Sequence, residues 1–219
     1  ASMRPIFQPR LVNGPFADPA LFVDVLFDRR ALLFDLGDIT ALPPRKILRT
    51  SHVFVTHTHM DHFVGFDRLL RICLGRARPL KLFGPAGFIE RVEHRLASYA
   101  WNLVENYRVD LAIAACEVSA DSSRFSWATF NSRECFLRRD GDADALQDGL
   151  LLDEPALQVH CAVLDHGIPC LGFALQEAMH VNVWPNRLAQ LGLAPGPWLR
   201  DAKRAIIAGE TDDTLVTAR

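Results

Sequence analysis

Val53-Phe54-Val55-Thr56-His57-Thr58-His59-Met60-Asp61-His62-Phe63 decides how this chain is read. The run His52 to Thr56 is short, apolar and β-branched, which predicts a strand. From Asp61 the period changes: Phe63, Phe66, Leu69, Leu70 and Cys73 fall at helical spacing ahead of Gly75, which predicts a helix to Leu74. A strand therefore runs into a helix, with His57 to Met60 as the joint. In extended backbone His57 and His59 are two apart and turn their imidazoles to one side, and Asp61 and His62 follow where the helix begins. By composition alone an HxHxDH spacing arises in roughly one chain of this size in a thousand. Imidazole and carboxylate donors suit zinc, manganese or iron, and one loop can supply both ligand sets of a two-metal site. The plainer alternative is a group of core or surface histidines without an ion. It would leave three close imidazoles with desolvation and repulsion costs and no compensating partner.

Outward from this loop, Ile6–Val12, Leu21–Phe27 and Ala31–Leu36 read as strands before it. Pro79–Phe83, Leu111–Val118 and Phe125–Phe130 read as strands after it, with a helix from Pro85 to about Tyr99. Asp140, Asp142, Asp144, Asp148, Asp153 and Glu154 occur without an intervening Lys or Arg and are expected to form a solvated loop. Leu157–Leu164 and Pro169–Gln176 read as a strand pair turning at Asp165-His166-Gly167, followed by helices near Trp184–Leu191 and Trp198–Ile207. His166 is placed where such a turn presents a side chain at a sheet edge, as a ligand or as a plain turn residue.

The whole of 1–219 is expected to be a single domain of mixed α/β class. Its composition, 49% hydrophobic and 23% charged, argues against disordered, collagen-like and disulfide-scaffold classes. No apolar run is long enough to span a membrane, and the N-terminal residues Ala1 to Val12 lack the apolar stretch of a secretory signal. Cys73, Cys116, Cys135, Cys161 and Cys170 are odd in number and contain no CxxC pair, so reduced thiols filling the core and a cytoplasmic location are expected. A net charge of −2 gives no global attraction to polyanions. Locally, Arg68, Arg71, Arg76, Arg78, Lys81, Arg91 and Arg95 face only Asp67, Glu90 and Glu93. This +4 balance directly after the histidine loop suits either phosphodiester steering or an ordinary solvated helix face. The 21 arginines against three lysines suit phosphate forks, or reflect genome base composition. His160 is expected to be a satisfied core residue, His52, His94 and His180 structural or surface groups, and Glu177, Trp184 and Trp198 packing or surface residues.

The His57–His62 motif, the upstream Leu33-Phe34-Asp35-Leu36-Gly37-Asp38 and the Val53–Thr56 context resemble the metallo-β-lactamase superfamily. Leu82-Phe83-Gly84-Pro85-Ala86-Gly87-Phe88 and Ala162-Val163-Leu164-Asp165-His166-Gly167-Ile168-Pro169 resemble its ribonuclease Z branch, the tRNA 3′-processing endonucleases. The resemblance covers about Leu32 to Lys203. It implies a four-layer αββα sandwich with metals at the strand ends, two zinc ions with manganese or iron as alternatives. His57, His59 and His166 would hold one ion, and Asp61 and His62 the other. Asp61 would also be the catalytic group that manages protons on a metal-bridged hydroxide, and Asp35 would orient a ligand histidine from behind. The implied activity is hydrolysis of a phosphodiester, in RNA or a smaller molecule. The alternatives are a thioester, lactone or other small-molecule hydrolase, or a metal-poor binding protein.

The chain departs from that family further along. No clear match is found for the bridging aspartate, the histidine and glutamate near the leaving group, or the final histidine ligand. Asp212 is only superficially similar to the bridging aspartate, and no equivalent of the tRNA-gripping arm stands out. The sandwich is therefore expected to be incomplete at its C-terminal end and the chain to be part of a longer protein. Open sheet edges make a homodimer or a companion fragment plausible.

Overall fold

A computed structural model describes residues 6–26, 28–76, 79–177, 181, 183–207, 209–211 and 213–217. Arg78, His180 and Asp212, singled out above, lie outside these residues, as do Ala1–Pro5. Contacts divide the chain into two compact units, residues 1–153 with 159–175 and residues 154–158 with 176–219.

The first unit is organised by an eight-stranded sheet whose strands lie in chain order. They are β1 (Phe7–Leu11), β2 (Leu21–Val25), β3 (Arg30–Phe34), β4 (Thr50–Phe54), β5 (Leu80–Gly84), β6 (Ala112–Val118), β7 (Arg124–Asn131) and β8 (Arg138–Ala145). The central strands β3 to β6 are parallel, and the flanking pairs are antiparallel. Parallel neighbours need a crossover, usually helical. Here the crossovers carry α1 (Pro44–Ile47), α2 (Met60–Phe63) with α3 (Phe66–Cys73), and α4 (Phe88–Ala97). A second sheet, in the order β11-β10-β9, is built from β9 (Leu150–Glu154), β10 (Leu157–Asp165) and β11 (Pro169–Glu177).

The two-residue period of the central strands sorts their side chains to two buried faces. Leu33, Val53, Val55, Leu82 and Ile113 point to the helix side, where they pack with Leu69, Leu70 and Cys73 of α3 and Phe88, Ile89, Val92 and Leu96 of α4. Phe34, Phe54 and Phe83 point the other way and stack at 5.0 and 4.8 Å, with Phe173 of β11 edge-on to Phe54 at 5.5 Å. One sheet thus separates a helix layer from a second sheet, the mixed α/β layering expected. His52 lies on the aromatic side, stacked against Phe54 and Phe83, and is buried and structural as expected.

Three expectations are corrected. Most of the acidic stretch is not a loop: Asp140, Asp142 and Asp144 lie in β8, an edge strand paired with β7, and Asp153 and Glu154 end β9, while Asp148 lies in the turn between the two strands. All eight residues of β8 are exposed. An edge strand needs a partner on one side only and tolerates charge on its faces, so the high charge concealed the strand. The helix expected across Asp61–Leu74 is broken at Gly65 into α2 and α3. Cys135, expected in the core, is exposed. Cys73 and Cys116 are buried, and burial pushes the Cys73 thiol up to about 12.

In the second unit, Pro185 opens α5 (Pro185–Gln190), where its missing N–H costs nothing. Helix α6 (Trp198–Ile207) follows, and the Trp198 indole N–H donates to the Ala194 carbonyl at 3.0 Å. No helix among the described residues is long and apolar enough to cross a membrane.

Candidate metal centre

The histidine loop leaves the carboxyl end of β4 and is held by backbone bonds on both flanks. The Val55 N–H donates to Phe83 O at 2.8 Å, and the Leu171 N–H of β11 donates to Thr56 O at 2.8 Å. A second clamp comes from the segment after β3, where the Leu36 N–H donates to His62 O and the Gly65 N–H to Leu36 O, both at 2.9 Å. This approach depends on glycine. A Cβ on Gly37 would lie 2.4 Å from Asp61 O, and one on Gly65 would lie 2.2 Å from Gly37 O.

Within this clamp, His57, His59 and His166 converge. One ring nitrogen from each lies within 4.8 Å of the other two, so the three could hold one metal ion. His57 Nε2 is 3.1 Å from His59 Nδ1, and the His57 and His166 ring centres are 4.8 Å apart. His166 arrives on the tight turn between β10 and β11, where Gly167 has φ +72° and its N–H donates to the Asp165 carboxylate. The His62 ring is 4.0 Å from that of His57, with its Nε2 3.5 Å from an Asp61 carboxylate oxygen. Asp61 is exposed, and it and His62 do not join the three-histidine group.

Behind the imidazoles stand Asp35 and Thr56. Asp35 is buried, with φ +60°, in the left-handed region that aspartate tolerates better than most residues. Its carboxylate accepts the Thr56 N–H at 2.7 Å and the Thr56 hydroxyl at 2.9 Å, and it pairs with His62 Nδ1 at 3.0 Å. With its proton donated to Asp35, the Thr56 oxygen accepts the His57 Nδ1–H at 2.9 Å. The network therefore puts the ring protons of His57 and His62 on Nδ1 and leaves each Nε2 with a free lone pair, as a ligand histidine requires. Burial holds the His57 imidazole below its ordinary value, and the neighbouring His62, His59 and His166 add to the shift. Three imidazoles whose ring nitrogens converge in this way fit a divalent cation.

The sequence singled out Asp35 but not Thr56, whose only signal is its place before the motif. Cys170 was also missed: it is buried, with Sγ 4.0 Å from His57 Nδ1. His160, expected in the core, is only half-buried, though its Nδ1–H is satisfied by Asp148 O at 3.2 Å. His94 is exposed on α4, 3.9 Å from Glu90. The basic run separates in space. Arg68 reaches the Thr40 carbonyl, Arg95 pairs with Asp67 at 2.9 Å, and Arg91 lies with Arg95 along a groove beside the histidine loop.

No protein-family model matches the chain. It is 36% identical over 209 residues to a ribonuclease Z of Deinococcus radiodurans, a match that covers 91% of this chain and 62% of that protein. It is 26% identical over 211 residues to a ribonuclease Z of Anoxybacillus flavithermus, covering 91% of this chain and 56% of the relative. The chain thus spans less than two thirds of the length of these relatives. Among solved structures, human tRNase Z, short form, aligns with a TM-score of 0.46 and 22% identity over 78% of this chain and 62% of that one. With the HxHxDH loop in place and sequence likeness along nine-tenths of its length, the chain is similar to part of the ribonuclease Z proteins, the branch of the metallo-β-lactamase superfamily that its motifs resemble.

Proposed function

We propose that the chain is the metal-binding portion of a hydrolase that cleaves a phosphodiester in RNA. The observation that carries this reading is the convergence of His57, His59 and His166, with His57 and His62 held in the ligand tautomer by Thr56 and Asp35. His57, His59 and His166 would hold one divalent ion, and Asp61 and His62 would contribute to a second. Nitrogen and oxygen donors without thiolate favour zinc, with manganese or iron as alternatives. Such ions supply Lewis acidity, stabilising charge on a phosphoryl oxygen and acidifying water.

The chain's own residues have distinct tasks in this reading. Asp35 accepts the hydrogen bond of His62 Nδ1–H and, through Thr56, fixes the His57 ring, so both imidazoles keep one orientation during turnover. Asp61, exposed beside His62, accepts a proton from the attacking water. Arg91 of α4, which makes no ion pair among the described residues, favours an anionic substrate. RNA is supported as that substrate by the relatives' names, and a cytoplasmic location by five free thiols. A homodimer is supported by the outer edges of β1 and β8, which pair with no further strand among the described residues.

Metal analysis and turnover of bis(p-nitrophenyl) phosphate test the proposal together. The expected result is bound zinc and chelator-sensitive hydrolysis, both lost in His57→Ala with His59→Ala. Equal hydrolysis with and without chelator, or turnover of a thioester alone, would overturn it.

A further inference from the structure

Beside the histidine loop is a groove of about 390 Å³ bounded by Thr58, Met60, Phe63 and Val64 on one wall and by Arg91, His94 and Arg95 of α4 with Ser98 on the other. We infer that this groove is a nucleotide subsite for single-stranded RNA, with Arg91 on a phosphate and a base lying against Met60 and Val64. The inference rests on the phosphodiester reading above and names where the flanking strand runs.

Three observations point to this occupant. The first is position. Thr58 lies between His57 and His59 in the loop that follows β4. It turns into the groove, so a chain passing from the metal centre to the groove crosses only the loop. The second is apolar surface. Met60 is 81% and Val64 40% exposed, large side chains left in water on and just after α2, next to buried Phe63. Covering them with a flat apolar group recovers about 25 cal/mol per Å². The third is charge. Helix α4 buries Phe88, Ile89, Val92 and Leu96, and turns Arg91 and Arg95 outward one turn apart. Arg95 is engaged by Asp67, whereas Arg91 makes no ion pair among the described residues. Glu90 does not line the groove itself but stands 3.9 Å from His94, which does. An occupant that joins a planar apolar body to an anion is a nucleotide. The platform needs an unstacked base, which only a single strand offers.

Fluorescence anisotropy of a labelled single-stranded RNA decamer with the 219-residue chain tests this, with circular dichroism to verify folding. Arg91→Glu is expected to weaken binding at least tenfold and to reduce the salt slope by about 0.7, the share of one phosphate. Arg91→Lys should retain most of the affinity, and Met60→Ser should lose about threefold with the salt slope unchanged. Arg71→Glu makes the same charge change on exposed α3 outside the groove and should have little effect. Equal losses for Arg71→Glu and Arg91→Glu would overturn the subsite, since the chain would then hold RNA by net charge alone. Competition by an acidic peptide as effective as that by a nucleoside monophosphate would also overturn it. RNA binding that is sensitive to Arg91 without phosphodiester turnover would sink the catalytic reading and leave the subsite standing. Turnover with unaltered binding by Arg91→Glu would do the reverse.

Discussion

Two donor sets come from one six-residue segment, and they are built differently. His57 and His59 are completed by His166 from a distant turn, and His57 is buried and backed by Thr56. Asp61 and His62 both sit on the opening turn of α2, face water on the carboxylate side, and gain no third donor among the described residues. Three protein donors with an open position make a strong zinc site, whereas two make a poor one. On the proposed two-metal reading, tertiary contacts and not the motif would set the relative strength of the two sites.

The sharpest way to break this comparison is a competitive zinc titration. His57→Ala should lower affinity at the tighter site a hundredfold or more, above the range seen when only a supporting residue is lost. His62→Ala should leave that event and remove a weaker one. A single event abolished by either variant would mean that the two sets act as one.

The supporting residues sharpen it next. Asp35→Asn should cost tenfold to a hundredfold in metal affinity, more at the weaker site, because Asp35 touches His62 directly and His57 only through Thr56. Thr56→Val should affect both sites, because the Thr56 hydroxyl oxygen lies 2.9 Å from His57 Nδ1 and 3.2 Å from His62 Nδ1. Isothermal calorimetry with each variant distinguishes the two patterns.

A smaller effect should come from packing. Gly65→Ala places a methyl 2.2 Å from the Gly37 carbonyl and should cost about 1–3 kcal/mol in urea unfolding, as overpacked sites do. Because Gly65 and Gly37 hold the α2 end of the loop, the Asp61–His62 pair should weaken before the three-histidine group does.

The smallest effect concerns pH. The folded His57 value is lowered from an ordinary ~6.5 by burial first and the other histidines second. As pH falls, the unfolded chain therefore takes up this proton first. The stabilising contribution is present above about 6.5 and is lost as pH falls through the window below it. The urea midpoint of metal-free protein should decline on going from pH 7 to 5.5, and His57→Gln should flatten that decline. An unchanged slope in the variant would assign the pH dependence to other groups.

Much of the frame was legible in the chain. The strand before His57, the helical spacing of Phe66, Leu69, Leu70 and Cys73, and the turn at Asp165–Gly167 are local patterns, and each lies where its period predicted. The acidic strand β8 was not legible, because charge counts register solvent exposure and an exposed edge strand is still a strand. Nor was the break at Gly65 legible, since it answers to the Gly37 backbone and not to any neighbour in the chain.

The sequence by itself determined the donor chemistry and its local presentation. Two imidazoles two residues apart in extended backbone must share a side, and a carboxylate and imidazole must follow at the helix start. Only the tertiary structure decided that His166 closes the first set, that Thr56 and Asp35 select the tautomers, and that Arg91 shares a groove with Met60. Local periodicity acts over a few bonds, whereas these arrangements depend on segments far apart in the chain that meet only when both faces of the central sheet are buried.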